Sequence, residues 1–403
     1  MWLLSVYKKA AKYGLRNSIK IVWKKIIKIL FFSVGKYVCR IDPKKIVFFT
    51  FSGNYECNPK WICEELLREN VPVTCVWGLP NKKKLDRSVF PEQVEVLSRN
   101  TIRFYWHLAT ARLIIDNAMD TAFIGYTLKK NQRLIETWHG SLGIKRFDAD
   151  TNKDKNWVKR AEKEAKMTSY IISNSDFEND VYRNSFWKTT KIWKYGHARN
   201  DILINKDIVP YEEIYKNVKE RFGIPDHVKI CMYAPTFRDD RDLSPYKLDY
   251  ERLIRALSLK FGGEWIIFSR FHLKVKELLS DYQFPANVYN VSDYPDIQEL
   301  LCITDVGITD YSSWICEYML TRKPGFLFAT DAFSYEDSDR KFFFPLTDLP
   351  FPLAVDENTL IENIEKFDQD DYTAACNQFL EEKGCVDDGH AAERIVKTLK
   401  KLM

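Results

Sequence analysis

Residues Cys302–Asp331 read CITDVGITDYSSWICEYMLTRKPGFLFATD, and this stretch constrains the fold more than any other. Two short apolar runs rich in β-formers, Asp305–Thr309 and Gly325–Ala329, flank a helical pattern over Ser313–Thr321. Strand, helix, strand in so short a span is the crossover unit of a parallel sheet, because parallel neighbours need a long connection. The turn into the helix is Thr309-Asp310-Tyr311-Ser312-Ser313. It crowds hydroxyls and backbone N–H donors at a helix start, where unpaired donors and the positive dipole end favour a phosphate or pyrophosphate. The plainer alternative is that Ser312 or Ser313 only caps the helix.

The same alternation runs through most of the chain. Apolar runs at Ile46–Phe51, Val73–Trp77, Val94–Val96, Leu113–Ile115, Arg133–Thr137 and Tyr170–Ser173 are separated by helical patterns over Pro59–Glu69, Thr101–Thr110, Lys155–Lys166 and, after the last strand, Ser175–Phe186. A second series follows: strands Lys229–Tyr233, Trp265–Ser269 and Val288–Asn290, and helices Asp249–Phe261 and Ile297–Cys302, leading into the opening unit. The last helix covers Asp388–Met403. The expected architecture is α/β, with two Rossmann-like domains facing each other across a cleft. An N-terminal arm would cover residues 1–41, the first domain 42–208 and the second 209–403. At 403 residues, with 45% hydrophobic content, the chain is long enough for two full cores.

The arm differs from the rest in charge. Residues 1–41 hold ten Lys or Arg and no acid, which leaves 51 bases against 56 acids in the remainder. From Asn17, apolar residues fall at Ile19, Val22, Trp23, Ile26, Ile27, Leu30, Phe31 and Val34, the stripe of a helix, with Lys20, Lys24, Lys25 and Lys28 off it. A helix over Trp2–Tyr13 would extend the same surface. No uncharged run approaches the roughly 20 residues needed to span a bilayer. A helix with Trp23 and Phe31 on one face and Lys24, Lys25 and Lys28 on the other reads as one lying on an anionic membrane. The competing reading packs the stripe on the protein's own core. Lysines backing an apolar stripe favour a membrane over nucleic acid, so no nucleic-acid partner is expected. Nine cysteines without a C-x-x-C pair, and only six histidines, argue against a disulfide framework or structural zinc and suit a reducing cytosol. They read as core filler.

Three segments carry candidate chemistry. His139 lies where strand Arg133–Thr137 runs into Trp138-His139-Gly140-Ser141, the carboxyl end at which ligands of such sheets sit. A neutral imidazole there is suited to taking a proton from a hydroxyl near neutral pH, and Gly140 would let another molecule approach the backbone. A structural histidine is the alternative. His272 follows strand Trp265–Ser269, with Arg270 and Lys274 at alternate positions, a pattern for holding phosphate oxygens or simply a solvated basic strand end. Arg238 stands after strand Lys229–Tyr233, ahead of Asp239-Asp240-Arg241-Asp242. Asp-x-Asp pairs can hold a divalent metal, but this one is broken by arginines, so no metal site is expected. His107, His197, His227 and His390 lack partner spacing and read as structural or surface residues.

The segments TWHG (Thr137–Gly140), GHARNDIL (Gly196–Leu203), YAPTFRDD (Tyr233–Asp240), the strand-end His272, ITDYSSWICEY (Ile308–Tyr318), RKP (Arg322–Pro324) and DGHAAERI (Asp388–Ile395) occur in this order. As an ordered set spanning roughly residues 45–400 they resemble the CDP-glycerol glycerophosphotransferase family, the primases and polymerases of teichoic acid and related capsule polymers. The resemblance implies a fold similar to GT-B glycosyltransferases, with nucleotide mainly on the C-terminal domain and acceptor at the cleft and N-terminal domain. It implies a CDP-glycerol or other CDP-alditol donor, a polyprenyl-diphosphate-linked glycan acceptor and a peripheral place on the cytoplasmic face of the membrane. By that resemblance His139 is the general base on the acceptor hydroxyl. His272, Arg238 and the Ser312–Ser313 turn hold the pyrophosphate, with Arg270 and Gly140 beside them and Asp310 shaping the pocket. The hydroxyl attacks the alditol-bearing phosphorus and CMP leaves, a transfer that needs positioning and positive charge and no required cofactor. Phe271-His272-Leu273 departs from the family, which often has Pro or Tyr after the histidine, and Phe342-Phe343-Phe344-Pro345 is a loose form of its glycine-containing loop. Both departures leave the alditol open. Lacking a large extra N-terminal domain, the chain is expected to make a short product or a single addition. Two other readings stay open: a GT-B glycosyltransferase using a UDP- or GDP-sugar, and a catalytically silent membrane-bound relative.

Overall fold

The structure, a computed structural model, describes residues 23, 26–51, 53–80, 87–146, 154–207, 211–236, 248–271, 283–332 and 341–403. Among these, thirteen strands form two sheets. The first runs in the order β3-β2-β1-β4-β5-β6-β7 and the second β10-β9-β8-β11-β12-β13. The first contains β1 (Asp42–Phe48), β2 (Thr74–Leu79), β3 (Glu95–Ser98), β4 (Ala111–Asp116), β5 (Arg133–Glu136), β6 (Thr168–Ser173) and β7 (Lys191–Lys194). The second contains β8 (Lys229–Tyr233), β9 (Trp265–Ser269), β10 (Val288–Asn290), β11 (Val306–Thr309), β12 (Gly325–Phe328) and β13 (Leu353–Ala354). Every pairing is parallel. Both sheets therefore have the doubly wound order, with strand order reversing between β1 and β4 and again between β8 and β11. The expected two-sheet α/β architecture is the one the chain adopts.

Sequence explains the pattern locally. Central strands such as Trp265–Ser269 and Val306–Thr309 are buried along their whole length, as a sheet covered by helices on both faces requires. Helices start where a short polar side chain can accept from the first turn: Thr101 from Phe104 N, Ser175 from Glu178 N, Asp249 from Arg252 N, Asp296 from Gln298 N.

Some expectations need correction. The final helix, Ala391–Leu402, was expected within the second unit. It instead returns to the first, packing on helix Cys57–Arg68, with Arg112 Nε donating to the Leu402 carbonyl at 2.7 Å. Ile395, Val396 and Leu399 are buried there. In the arm, Phe31 was expected on the membrane face. Its ring packs against Tyr105, with Phe32 between Tyr105 and Tyr126 and Lys28 over the Phe32 ring. The two adjacent rings turn onto the same aromatic pair, so the protein's own packing takes both. Trp23, Ile26, Leu30 and Val34, spaced at helical intervals, are exposed instead. Lys24, Lys25 and the Trp2–Tyr13 helix lie outside the described residues.

Candidate active site

At the first strand-order reversal, three strand exits converge. Asp116, buried at the end of β4, accepts from Ala118 N at 3.0 Å and from Thr121 N and Oγ1 at 2.8 and 2.9 Å. This folds the following loop so that the Asn117 carbonyl accepts from His139 Nδ1 at 2.6 Å. A carbonyl can only accept, so Nδ1 carries a proton, and in the neutral form of the ring the lone pair sits on Nε2. The Asn117 side-chain oxygen accepts from Phe51 N at 2.8 Å. The Phe51 ring lies over the imidazole, centroids 5.4 Å apart and planes 19° off parallel. Trp138 lies 4.4 Å from the imidazole's centroid. His139 is thus exposed but oriented.

The strained residue of this turn is not the glycine. Trp138 has φ 53°, whereas Gly140 stays out of the left-handed region. A bulky side chain there is costly and persists only where its surroundings impose it. Glu136 Oε1 accepts from Trp138 N at 2.8 Å, and Asn58 Nδ2 donates to the carbonyls of Thr137 and Trp138 at 3.0 and 3.3 Å. Burial, and then Asp116 and Glu164 nearby, push the Glu136 carboxyl well above its usual range.

At the second reversal, Asp310 stitches the exits of β8 and β11 together. Its two oxygens accept from Thr236 N at 2.8 and 3.0 Å, and Oδ1 also accepts from Tyr311 N. Thr309 Oγ1 and Trp314 Nε1 both donate to the Ala234 carbonyl, at 2.7 and 3.0 Å. Ser313 occupies the N-cap position of helix Trp314–Tyr318 but has helical φ and ψ, and its side chain makes no capping bond. Both Ser312 and Ser313 are half-buried, so the side-chain cap entertained from sequence is not formed. Arg270, expected among phosphate ligands, commits Nη1 to the carbonyls of Val291 and Tyr294 at 3.0 and 2.8 Å. Both carbonyls lie just after β10, so this nitrogen of the half-buried Arg270 braces the strand exits. His272 and Arg238 lie outside the described residues, as does the Asp239–Asp242 loop. Among the described residues, no three or more His, Cys, Asp or Glu side chains converge as metal ligands would.

The two turns face each other. A Cβ on Gly140 would stand 3.9 Å from Ser313 Oγ. Lys145 Nζ donates to Thr236 Oγ1 at 3.1 Å, bringing a cation of the first unit to the turn held by Asp310. Residues 144–146 pair antiparallel with 341–343 through Arg146 N to the Lys341 carbonyl and Phe343 N to the Ile144 carbonyl, at 2.9 and 2.8 Å. His139, Gly140, Asp310, Ser312 and Ser313 are therefore brought together. Sequence reading missed Lys145, whose only signal was the Lys145-Arg146 pair just past TWHG. It also missed Asn58, Phe51 and Asn117, whose roles depend on contacts distant in sequence.

The family model for CDP-glycerol:poly(glycerophosphate) glycerophosphotransferases matches residues 31–401. A teichoic acid poly(glycerol phosphate) polymerase of Staphylococcus epidermidis is 30% identical over 370 residues, 88% of this chain and 50% of the polymerase. The chain thus spans about half the length of that relative. A teichoic acid glycerol-phosphate transferase of Staphylococcus aureus is 27% identical over 400 residues, covering 95% of this chain and all of the transferase. Among solved structures, a histidine-to-asparagine variant of the wall teichoic acid polymerase TagF soaked with CDPG superposes with a TM-score of 0.81 at 27% identity. That match covers 99% of this chain and 98% of the solved one.

Proposed function

The chain belongs to the CDP-glycerol:poly(glycerophosphate) glycerophosphotransferase family, and from that premise we propose that it moves glycerol phosphate, or a related polyol phosphate, from a CDP-alditol to a hydroxyl of a lipid-linked glycan or polymer acceptor. CMP is released, and the product serves a teichoic-acid-type or capsule-type surface polymer. The observation that carries this reading is the apposition of the His139 turn and the Asp310–Ser313 turn across two strand-order reversals. The acceptor oxygen attacks the alditol-bearing phosphorus. Its proton passes to His139 Nε2, the bond from that phosphorus to the bridging oxygen breaks, and that oxygen leaves with CMP.

In this reading the Ser312–Ser313 turn and Lys145 hold the pyrophosphate, together with Arg238 and His272, and Asp310 keeps the turn in shape. Positioning and positive charge supply what the step needs, so no cofactor is invoked. The likeness to a polymerase solved after a CDPG soak supports a CDP-alditol donor. The exposed apolar face of the arm supports a peripheral position at the membrane, where a lipid-linked acceptor resides. Among the described residues, no helix is long and apolar enough to cross a membrane.

Calorimetric titration with CDP-glycerol, CDP-ribitol, UDP-GlcNAc and CMP tests the reading and identifies the donor. A CDP-alditol should bind more tightly than CMP. His139→Ala should abolish turnover while leaving that binding largely intact. Binding of a UDP-sugar alone would return the chain to glycosyl transfer. Loss of donor binding in His139→Ala would move the histidine into the nucleotide site.

A further inference from the structure

The segment Gly196–Asp201 has no part in the chemistry above, yet each polar side chain in it is buried and engages a different element. His197 Nε2 meets the Glu178 carboxylate at 2.9 Å. Arg199 donates through Nη1 to Cys57 Sγ at 3.0 Å and through Nη2 to Glu317 Oε1. The Asn200 side chain bonds Gln298 at 3.1 Å and Asp387 at 2.9 Å. Asp201 accepts from the first two N–H groups of helix Ala391–Leu402.

One of these residues, Arg199, connects the facing turns together with Asn58. Asn58 is the hub on one side: its Oδ1 accepts from Arg199 N at 3.1 Å while its Nδ2 reaches the carbonyls of Thr137 and Trp138, immediately before His139. On the other side the Arg199 guanidinium holds Glu317, on the helix Trp314–Tyr318 that the Ser312–Ser313 turn enters. Glu317 is fixed again by Gln298 Nε2 at 2.6 Å. The path from base to proposed phosphate turn is thus Trp138, Asn58, Arg199, Glu317, with every link a hydrogen bond or a covalent segment of one to four residues.

We infer that Arg199 and Asn58 are positioning residues, forming a strut that sets the separation between His139 and the phosphate-holding turn. Arginine suits this task because its planar fork fixes two partners at once, which the single ammonium of lysine does not. A buried ion pair is weak evidence for stability, since desolvation offsets the attraction, so its value here lies in geometry. The inference rests on His139 being the base. An error of about 1 Å in the placement of reacting groups can cost on the order of 100-fold in rate.

The test is Arg199→Lys assayed beside Glu317→Gln and His139→Ala. Arg199→Lys should fold, bind the CDP-alditol with Kd and KM within about twofold of the parent, and turn over about 100-fold more slowly. Glu317→Gln should show the same split of kcat from KM. A purely structural role would instead lower the unfolding midpoint and the active fraction together, leaving kcat per folded molecule unchanged. That result overturns the inference, as does parental turnover in both variants, a matching loss of donor affinity, or failure of both to fold. If His139→Ala retains turnover, the base assignment fails. If His139→Ala is inactive and Arg199→Lys is fully active, the strut alone fails.

Discussion

At Asp201 a carboxylate caps helix Ala391–Leu402 from inside the protein, accepting from Ala391 N at 2.9 Å and Ala392 N at 2.8 Å. Burial pushes its carboxyl from 3.8 up to about 7, although the two N–H groups pull the other way. The folded chain therefore keeps a proton that the unfolded chain releases near pH 4. Between about pH 4 and 7 the native state binds more protons than the unfolded state, so this group makes stability fall as pH rises. The slope is at most about 1.4 kcal/mol per pH unit, and it vanishes above the folded value. Asp201→Asn, which cannot ionise, removes the slope. Urea unfolding at pH 5 and pH 8 should show the variant gaining on the parent by roughly 2 kcal/mol or more across that interval. A constant difference between the two proteins would mean that Asp201 ionises as an ordinary carboxyl.

Among the elements, β11 shows how tightly the opening sequence unit is packed. A Cβ at Gly307 would meet Tyr318 ring carbons at 2.9 Å and Trp314 at 3.2 Å. Both rings belong to the helix that β11 feeds. Gly307→Ala should therefore overpack the unit, lowering stability by about 1–3 kcal/mol and the thermal midpoint with it. An unchanged midpoint would mean that the helix shifts freely. This unit was legible to within a residue, its strands expected at Asp305–Thr309 and Gly325–Ala329 and found at Val306–Thr309 and Gly325–Phe328; strands Lys229–Tyr233, Trp265–Ser269 and Val288–Asn290 of the same sheet were read with the bounds found. β7, reading Lys-Ile-Trp-Lys at a sheet edge, and the two-residue β13 carry too little pattern. Helices Glu357–Lys366 and Gln369–Glu382 went unread. The site divides along the same line. His139, Asp310 and Ser313 could be picked out because strand ends are where ligands sit. Asn58 carried no signal, and Arg199 and Glu317 fell inside the GHARNDIL and ITDYSSWICEY segments without a role, because the contacts that link the three to the turns span at least 79 positions. Arg270 was read as a phosphate ligand, and its Nη1 is held by the carbonyls of Val291 and Tyr294, contacts that the sequence does not signal.

At the scale of the whole molecule, the two sheets are held together by buried charge as well as by the returning C-terminal helix. Lys60 of the first unit donates to Asp296 at 2.9 Å and pairs with Glu299 of the second. Helical residues 26–33 present two faces of opposite fate. Phe31 and Phe32 are turned onto Tyr105 and Tyr126, whereas Trp23 is 60% exposed, Leu30 52% and Val34 49%. Apolar side chains at these three spacings form one stripe, and with Lys24, Lys25 and Lys28 close by in sequence we expect this helix to seat at an anionic interface. Replacing Trp23, Leu30 and Val34 together by Ser should release the protein from phosphatidylglycerol liposomes. It should leave turnover on a soluble acceptor analogue unchanged and the thermal midpoint nearly so, because those side chains are about half exposed or more. Phe31→Ser should do the reverse, retaining liposome binding while lowering the midpoint through lost packing. Liposome binding that survived the triple change would remove the arm from membrane attachment. A midpoint that fell with the triple change would mean that the outer stripe packs on the protein itself.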